Sequence, residues 1–188
     1  MSVSNIIERL QAGNQRFMSD RSERSLRDSA RRKELSGGQN PWAIVLSCAD
    51  SRVVPEEAFD TGLGELFVIR VAGNIANTSS IASIEYAVAH LGSSLIVVLG
   101  HESCGAVTAA VGGGNHGHNL NHLLSHITPA LHSCGETATL TDVIKRNAEL
   151  NGQDVIERSS IIRKAVENGQ VSIVPAYYHL DSGEVEFY

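Results

Sequence analysis

The sequence predicts an α/β fold: a mainly parallel sheet of about four strands, extended by an antiparallel C-terminal strand and flanked by helices. Three short apolar runs, at 42–47, 65–70 and 94–100, are typical of strands buried on both faces. Between the second and third runs, residues 78–91 carry apolar side chains at helical spacing, and Gly92 follows as a helix end. Because strand, helix and strand follow one another with short links, we expect the strands to pair in parallel.

The chain is expected to be a single domain, with a helical arm at 1–38 and the α/β core at 39–188. Apolar side chains at helical spacing predict a helix over residues 4–18, with Ser4 as a candidate N-cap. The charged stretch 21–34 is expected to form a second helix, which is solvated or packs on a partner subunit. We expect both N-terminal helices to contribute to such a subunit contact.

The C-terminal third is predicted to be helical first and to close in a hairpin. The helical region is expected over residues 120–168, in three pieces separated near 133–135 and 151–152. The hairpin strands are expected within 171–180 and 184–188. Pro175 donates no backbone N–H, so its strand is predicted to lie at an edge or to bulge there.

The composition excludes several classes of protein. Of the 188 residues, 42% are hydrophobic and 19% charged, which is typical of a globular protein. The net charge of −6 argues against nucleic acid or an anionic membrane as the main partner. No long apolar run predicts a membrane span, and the N-terminus becomes charged too early for a signal peptide. Three cysteines in such a chain indicate metal or catalysis rather than disulfides, and a cytoplasmic location is expected.

Two thiols and an imidazole follow the predicted strands. Cys48 comes directly after the first strand, His101 directly after the third, and Cys104 at the start of a helix expected over 103–111. Carboxyl ends of parallel strands share one sheet edge, where α/β proteins bind ligands. Two cysteines, one histidine and an open position are typical of catalytic Zn²⁺ sites. The alternative for either thiol alone is a small buried side chain in the core.

Asp50 and Arg52 follow Cys48 closely, and two interpretations of them remain open. They could form a structural ion pair that caps the turn before Pro55. Alternatively, Asp50 could accept a hydrogen bond from zinc-bound water, or ligate zinc itself in a closed state. Arg52 would then decide between these two states by holding the carboxylate away from the metal.

These residues resemble the two zinc motifs of the β-class carbonic anhydrases, Cys-x-Asp-x-Arg at 48–52 and His-x-x-Cys at 101–104. The similarity is closest from Gln39 to about Thr108. It implies reversible hydration of carbon dioxide to bicarbonate and a proton through zinc-bound hydroxide. It also implies a zinc ion held by Cys48, His101 and Cys104, with Asp50 and Arg52 as the catalytic dyad.

The resemblance further implies a substrate pocket like that of the plant-like members. Gln39, Phe67 and Tyr86 match its positions, and the backbone N–H of Gly105 is expected to face the site. In the family the two rings come from the neighbouring subunit, which implies a homo-oligomer, either a dimer or a dimer of dimers. Without the resemblance, ordinary core packing would be the preferred interpretation of the two rings. Val45 stands where a bicarbonate-inhibited subgroup has Trp, so the resemblance favours the open-site subgroup.

Two other functions stay open at this point. The same fold and zinc chemistry serve hydrolases of carbonyl sulfide or carbon disulfide. A non-catalytic zinc or bicarbonate sensor, permanently closed by Asp50, is the other alternative. A histidine-rich stretch at 116–132 could hold a second metal or relay protons, although a solvated surface is the expectation there.

Overall fold

The computed structural model describes residues 1–135 and 137–188, and the described residues form a five-stranded sheet in the order β2-β1-β3-β4-β5. The strands are β1 (Ala43–Ser47), β2 (Leu66–Arg70), β3 (Leu95–His101), β4 (Ser172–Tyr178) and β5 (Val185–Phe187). β2, β1, β3 and β4 pair in parallel, and β5 pairs with β4 in the antiparallel sense. The predicted fold class is therefore confirmed.

Helices cover both faces of this sheet. They are α1 (Val3–Met18), α2 (Ser29–Glu34), α3 (Pro55–Ala58), α4 (Thr78–Leu91), α5 (Gly105–Gly112), α6 (His118–Ser125), α7 (Thr128–Cys134), α8 (Leu140–Arg158) and α9 (Ser160–Glu167). Every residue of β1 and β3 is buried, because side chains of these central strands alternate between the two helical layers. Val45 and Val97 pack with α1 and α3, whereas Ile44 and Ile96 pack with α4, α8 and α9.

The N-terminal region differs from its prediction in two ways. The first helix starts at Val3, with Ser2 rather than Ser4 as its N-cap, since the Ser2 hydroxyl accepts from the N–H of Asn5 at 3.3 Å. The second helix is confined to Ser29–Glu34, so the expected helix over 21–34 is wrong for its first half. The Asp60 carboxylate binds the backbone N–H groups of Glu23 and Arg24 instead, at 2.9 and 3.1 Å.

The first helix packs on its own chain. Ile6 and Leu10 are only 1% and 0% exposed and belong to the same hydrophobic cluster as Val45 and Val97. α2 carries exposed side chains apart from half-buried Arg31. Contact of these two helices with a partner subunit therefore concerns their outer faces, and it stays a prediction.

The C-terminal helices are divided differently from the prediction. The helical region begins at His118, and α8 runs without a break through Asn151 and Gly152, so the predicted interruption there is wrong. Gly152 lies where α8 crosses β4: a Cβ built on it would stand 3.2 Å from Ile173 Cγ2. The glycine thus permits close helix–sheet approach instead of ending the helix. The actual break comes at Ser159, whose hydroxyl caps α9 by accepting from the N–H of Ile162.

Pro175 lies in β4, which pairs on both sides rather than forming the edge of the sheet. Its carbonyl accepts from the N–H of Tyr188, beyond the three-residue ladder in which β5 pairs with Ala176–Tyr178. Pro175, which has no N–H to donate, therefore stands where the ladder with β5 ends, so no hydrogen bond of that ladder is lost.

In the part of the chain that the structure describes, no helix has the length and apolar character needed to cross a membrane.

Candidate active site

The sheet brings Cys48, His101 and Cys104 together at the carboxyl edge of β1 and β3. One ligand atom from each, the two sulfurs and an imidazole nitrogen, lies within 4.8 Å of the others. Cys48 directly follows β1, His101 ends β3, and Cys104 is the N-cap of α5, which begins two residues after the expected Ser103. These three residues are 4%, 0% and 1% exposed, so the cluster is closed to bulk water on most sides.

The orientation of the His101 ring is fixed by a backbone carbonyl. Nδ1 lies 2.8 Å from the Glu102 carbonyl oxygen, an acceptor, so Nδ1 carries the proton. Nε2 consequently presents a lone pair, and it is buried without a hydrogen-bond partner among the described residues. A buried, unpaired nitrogen is costly unless something binds it. A metal-ligating histidine has this arrangement, with its other ring nitrogen held by an acceptor.

The two thiols influence each other's acidity. Hydrogen bonding from Cys104 lowers the pKa of Cys48, despite burial, and the N–H of Gly73, 3.3 Å from the Cys48 sulfur, adds to the effect. The same contact with Cys48, together with burial, raises the pKa of Cys104. The contact thus favours one thiolate beside one thiol. A divalent cation that binds both sulfurs would displace the remaining proton, so this donor set fits Zn²⁺.

Asp50 is held beside this cluster by Arg52. The guanidinium donates from Nε to Oδ1 at 2.9 Å and from Nη2 to Oδ2 at 2.8 Å, and the Arg52 N–H donates to Oδ1 at 3.0 Å. These hydrogen bonds, the side-chain ones above all, hold the pKa of the Asp50 carboxyl well below its usual range. Asp50 Oδ2 lies 3.9 Å from His101 Nε2, close to the cluster but paired with the arginine.

Arg70 fixes the backbone that carries these groups. From the end of β2 it donates to the carbonyl of Cys48 at 3.1 Å and to the carbonyl of Asp50 at 2.7 Å. The segment from the first thiol to the carboxylate is therefore clamped at both ends. Sequence reasoning assigned Arg70 no role, although its position at the carboxyl end of a neighbouring strand was a usable signal.

The four proposed substrate residues lie on different elements of this chain, and the two rings among them face each other. Gln39 is exposed in the loop before β1, and Gly105 is the exposed first residue of α5. Phe67, on edge strand β2, faces Tyr86 of α4, with ring centroids 6.4 Å apart, and Tyr86 is 49% exposed. Phe67 packs with the hydrophobic cluster on the α4 face, whereas Cys48 and Cys104 belong to a different cluster. The chain thus does not bring its own two rings to its own cysteines.

Two relatives are similar to nearly the whole chain. A family model described as carbonic anhydrase matches residues 43–185. Carbonic anhydrase 2 of Mycobacterium tuberculosis is 37% identical over 180 residues, covering 93% of this chain and 87% of that protein. A carbonic anhydrase of Mycolicibacterium smegmatis is 38% identical over 184 residues, covering 94% and 89%.

Solved structures show the same similarity in three dimensions. A tetrameric β-carbonic anhydrase from Sordaria macrospora superposes with a TM-score of 0.74 at 25% identity, covering 97% of this chain and 96% of that one. A Coccomyxa β-carbonic anhydrase in complex with acetazolamide gives a TM-score of 0.73 at 26% identity, covering 99% and 86%. Sequence and fold therefore agree over almost the full length.

Proposed function

This chain belongs to the β-class carbonic anhydrase family, and we propose that it hydrates carbon dioxide reversibly with a zinc ion held by Cys48, His101 and Cys104. One observation carries the proposal. The unpaired Nε2 of His101 belongs to one cluster with the Cys48 and Cys104 sulfurs, and Asp50 Oδ2, which is paired with Arg52, lies 3.9 Å from that nitrogen. A cation that prefers nitrogen and sulfur ligands would satisfy this nitrogen and both sulfurs.

A zinc ion held by these residues would supply Lewis acidity, which in carbonic anhydrase lowers the pKa of a bound water to about 7. Asp50 stays ionised, since Arg52 and its own backbone contacts favour the carboxylate, and so it accepts a hydrogen bond from the attacking water. That hydrogen bond orients the water's remaining lone pair toward the substrate carbon. Through its two hydrogen bonds, Arg52 would also hold the Asp50 carboxylate away from the metal, which would keep the site accessible to substrate.

The substrate residues would act from two subunits. The Gln39 amide donates to a substrate oxygen, the Gly105 N–H provides a further donor, and Phe67 and Tyr86 of the neighbouring subunit form a dry wall for an apolar gas. The exposure of Tyr86, and the separation of both rings from their own cysteines, support this arrangement. We therefore propose a homo-oligomer, a dimer or a dimer of dimers. Because the site needs two free thiolates, we also propose a reducing, cytoplasmic location.

The decisive experiment combines metal content with stopped-flow carbon dioxide hydration from about pH 6.5 to about 9, a range that follows a water pKa near 7. Wild type should contain about one zinc per chain, as a three-ligand site requires, and should hydrate carbon dioxide. Cys48→Ser should lose zinc and activity, whereas Cys134→Ser, which changes a half-buried cysteine outside the cluster, should keep both.

A second pair of variants addresses the carboxylate. Asp50→Asn should retain zinc and lose most of the hydration rate, because the amide would not offer the same ionised acceptor. Asp181→Asn makes the same chemical change in an exposed turn and should behave as wild type. Zinc bound without hydration at any pH would contradict the proposal. Carbonyl sulfide and carbon disulfide, assayed in parallel, would then identify the alternative substrate.

A further inference from the structure

We propose that Asn147 is a positioning residue of the metal site. It holds Gly73 in place so that the Gly73 N–H donates to the Cys48 sulfur, and this hydrogen bond reduces the charge that the Cys48 thiolate donates to the metal. The inference rests on the proposed zinc site. Gly73 N lies 3.3 Å from Cys48 Sγ. The next peptide is held from the other side, since Asn147 Nδ2 donates to the Gly73 carbonyl at 2.8 Å.

The orientation of the Asn147 amide is itself determined by a second buried amide. Asn151, one turn further along α8, donates from Nδ2 to Asn147 Oδ1 at 3.0 Å and to its backbone carbonyl at 2.8 Å. Asn151 Oδ1 accepts from the N–H of Ala76 at 2.6 Å. Because Asn147 Oδ1 is used as an acceptor, its Nδ2 must face Gly73. The two amides are 0% and 1% exposed, so each unmade hydrogen bond would be costly.

Gly73 is the residue that this close approach requires. Its φ of 72° lies in the left-handed region, and a Cβ built on it would stand 2.8 Å from Ile127 Cδ1 and 3.3 Å from Ala106 Cβ. Ala106 belongs to the first turn of the helix that Cys104 caps. Gly73 thus lies tightly packed between α5 and the Cys48 sulfur, and its hydrogen bond from Asn147 fixes the orientation of its peptide.

A hydrogen bond to a thiolate draws charge onto its sulfur and away from a bound metal. With two thiolates in the ligand set, this effect makes the metal a stronger Lewis acid than unassisted sulfurs would allow. A merely structural role for Asn147, bracing the loop from Gly73 to Ala76, would not alter the sulfur's electronic state. The two roles therefore differ in a spectroscopic signature.

The test compares Asn147→Leu with Asn14→Leu, both loaded with cobalt(II) or zinc. Asn14 is also a buried amide, which donates to the carbonyls of Ala58 and Gly183 and accepts from the N–H of Val185, away from the cysteines. In Asn147→Leu the sulfur-to-cobalt charge-transfer band should move to lower energy, because the Cys48 thiolate loses its hydrogen bond and donates more charge to the metal. Asn14→Leu should lose stability with no such shift. An unchanged band in a folded, cobalt-loaded Asn147→Leu would overturn the inference, whatever its stability or rate of metal loss.

A measurement on the wild type keeps the inference testable if Asn147→Leu does not fold. Loaded with an NMR-active cadmium isotope, the chain should show coupling between the Gly73 amide proton and the metal, transmitted through the hydrogen bond to Cys48. Bound cadmium without this coupling would refute the inference alone. Failure of the wild type to bind cobalt, zinc or cadmium would refute the proposed metal site, and the inference with it.

Discussion

Arg52 grips both carboxylate oxygens of Asp50, and it does so from a position that is half exposed to solvent. The two guanidinium contacts measure 2.9 and 2.8 Å, and the Arg52 side chain is 53% exposed, against 17% for Asp50. The residue that we propose keeps the carboxylate away from the metal is thus the more exposed of the two. An arginine fork compensates for this exposure by restraining the carboxylate at two points.

We expect Arg52→Lys to reduce kcat/KM for carbon dioxide hydration about 10- to 100-fold while leaving zinc content unchanged, as for outer partners of metal sites generally. A lysine keeps the charge but offers a single ammonium instead of a planar fork. Stopped-flow hydration with metal analysis measures both quantities. Arg163→Lys, on the surface of α9, is the matched control. Wild-type rates in Arg52→Lys would show that charge alone suffices.

Arg70→Met should lower kcat about 10-fold and loosen zinc binding, again the range for residues that orient ligands indirectly. Its two hydrogen bonds to the Cys48 and Asp50 carbonyls would be lost, so the segment joining thiol and carboxylate would move more freely. Zinc dissociation into a chelator and stopped-flow rates measure these effects. Arg146→Met, which removes an ion pair with Glu149 on α8, should change neither. A normal rate with normal zinc retention in Arg70→Met would contradict the clamp.

Asp60→Asn should destabilise the fold by about 1.5–3 kcal/mol at neutral pH, the usual range for hydrogen bonds to a charged group. The Asp60 side chain is 0% exposed and binds Arg16 Nε at 2.6 Å. Burial alone would raise the pKa of Asp60. The hydrogen bonds from Arg16 and from the N–H groups of Glu23 and Arg24 outweigh burial and leave this pKa lowered.

The pH dependence of this effect has a definite sign. A folded pKa below the unfolded value of about 3.9 stabilises the protein above that value, and the contribution is lost as pH falls through the folded pKa. The stability gap between wild type and Asp60→Asn should therefore be full above about pH 5 and shrink in more acidic buffer. Urea unfolding at several pH values measures the gap, with exposed Asp20→Asn as control. A gap that is constant down to acid pH would refute the charge-based explanation.

The sequence predicted the sheet and the edge at which Cys48 and His101 meet, because buried parallel strands leave continuous apolar runs and a shared carboxyl end. Long-range contacts were not predictable in this way. The Asp60 carboxylate accepts from the N–H groups of Glu23 and Arg24, 37 and 36 positions away, which holds the first half of the charged stretch 21–34 out of a helix. Asn147 looked like an ordinary polar helix residue, since nothing local reveals that its amide reaches Gly73.

The location of Phe67 and Tyr86 leads to a prediction about subunits. If these rings serve the neighbour's site, an Asp50→Asn subunit paired with a Phe67→Ala, Tyr86→Ala subunit forms one dimer with two unequal sites. One site carries both defects. The other has an intact Asp50 from one subunit and intact rings from its partner. Mixing two weakly active homodimers should therefore restore hydration, with one intact site of the two in each mixed dimer.

Rings acting within their own subunit give the opposite result. Each site of the mixed dimer would then carry one defect, and mixing would restore nothing. The two variants, distinguished by different affinity tags, are unfolded together, refolded and purified through both tags, and hydration is measured per chain. Because Tyr86 is 49% exposed and Phe67 lies on the edge strand, these substitutions could also weaken the subunit contact. The mass of the doubly purified sample shows whether the mixed dimer is intact. An intact mixed dimer that does not hydrate carbon dioxide would refute the shared site.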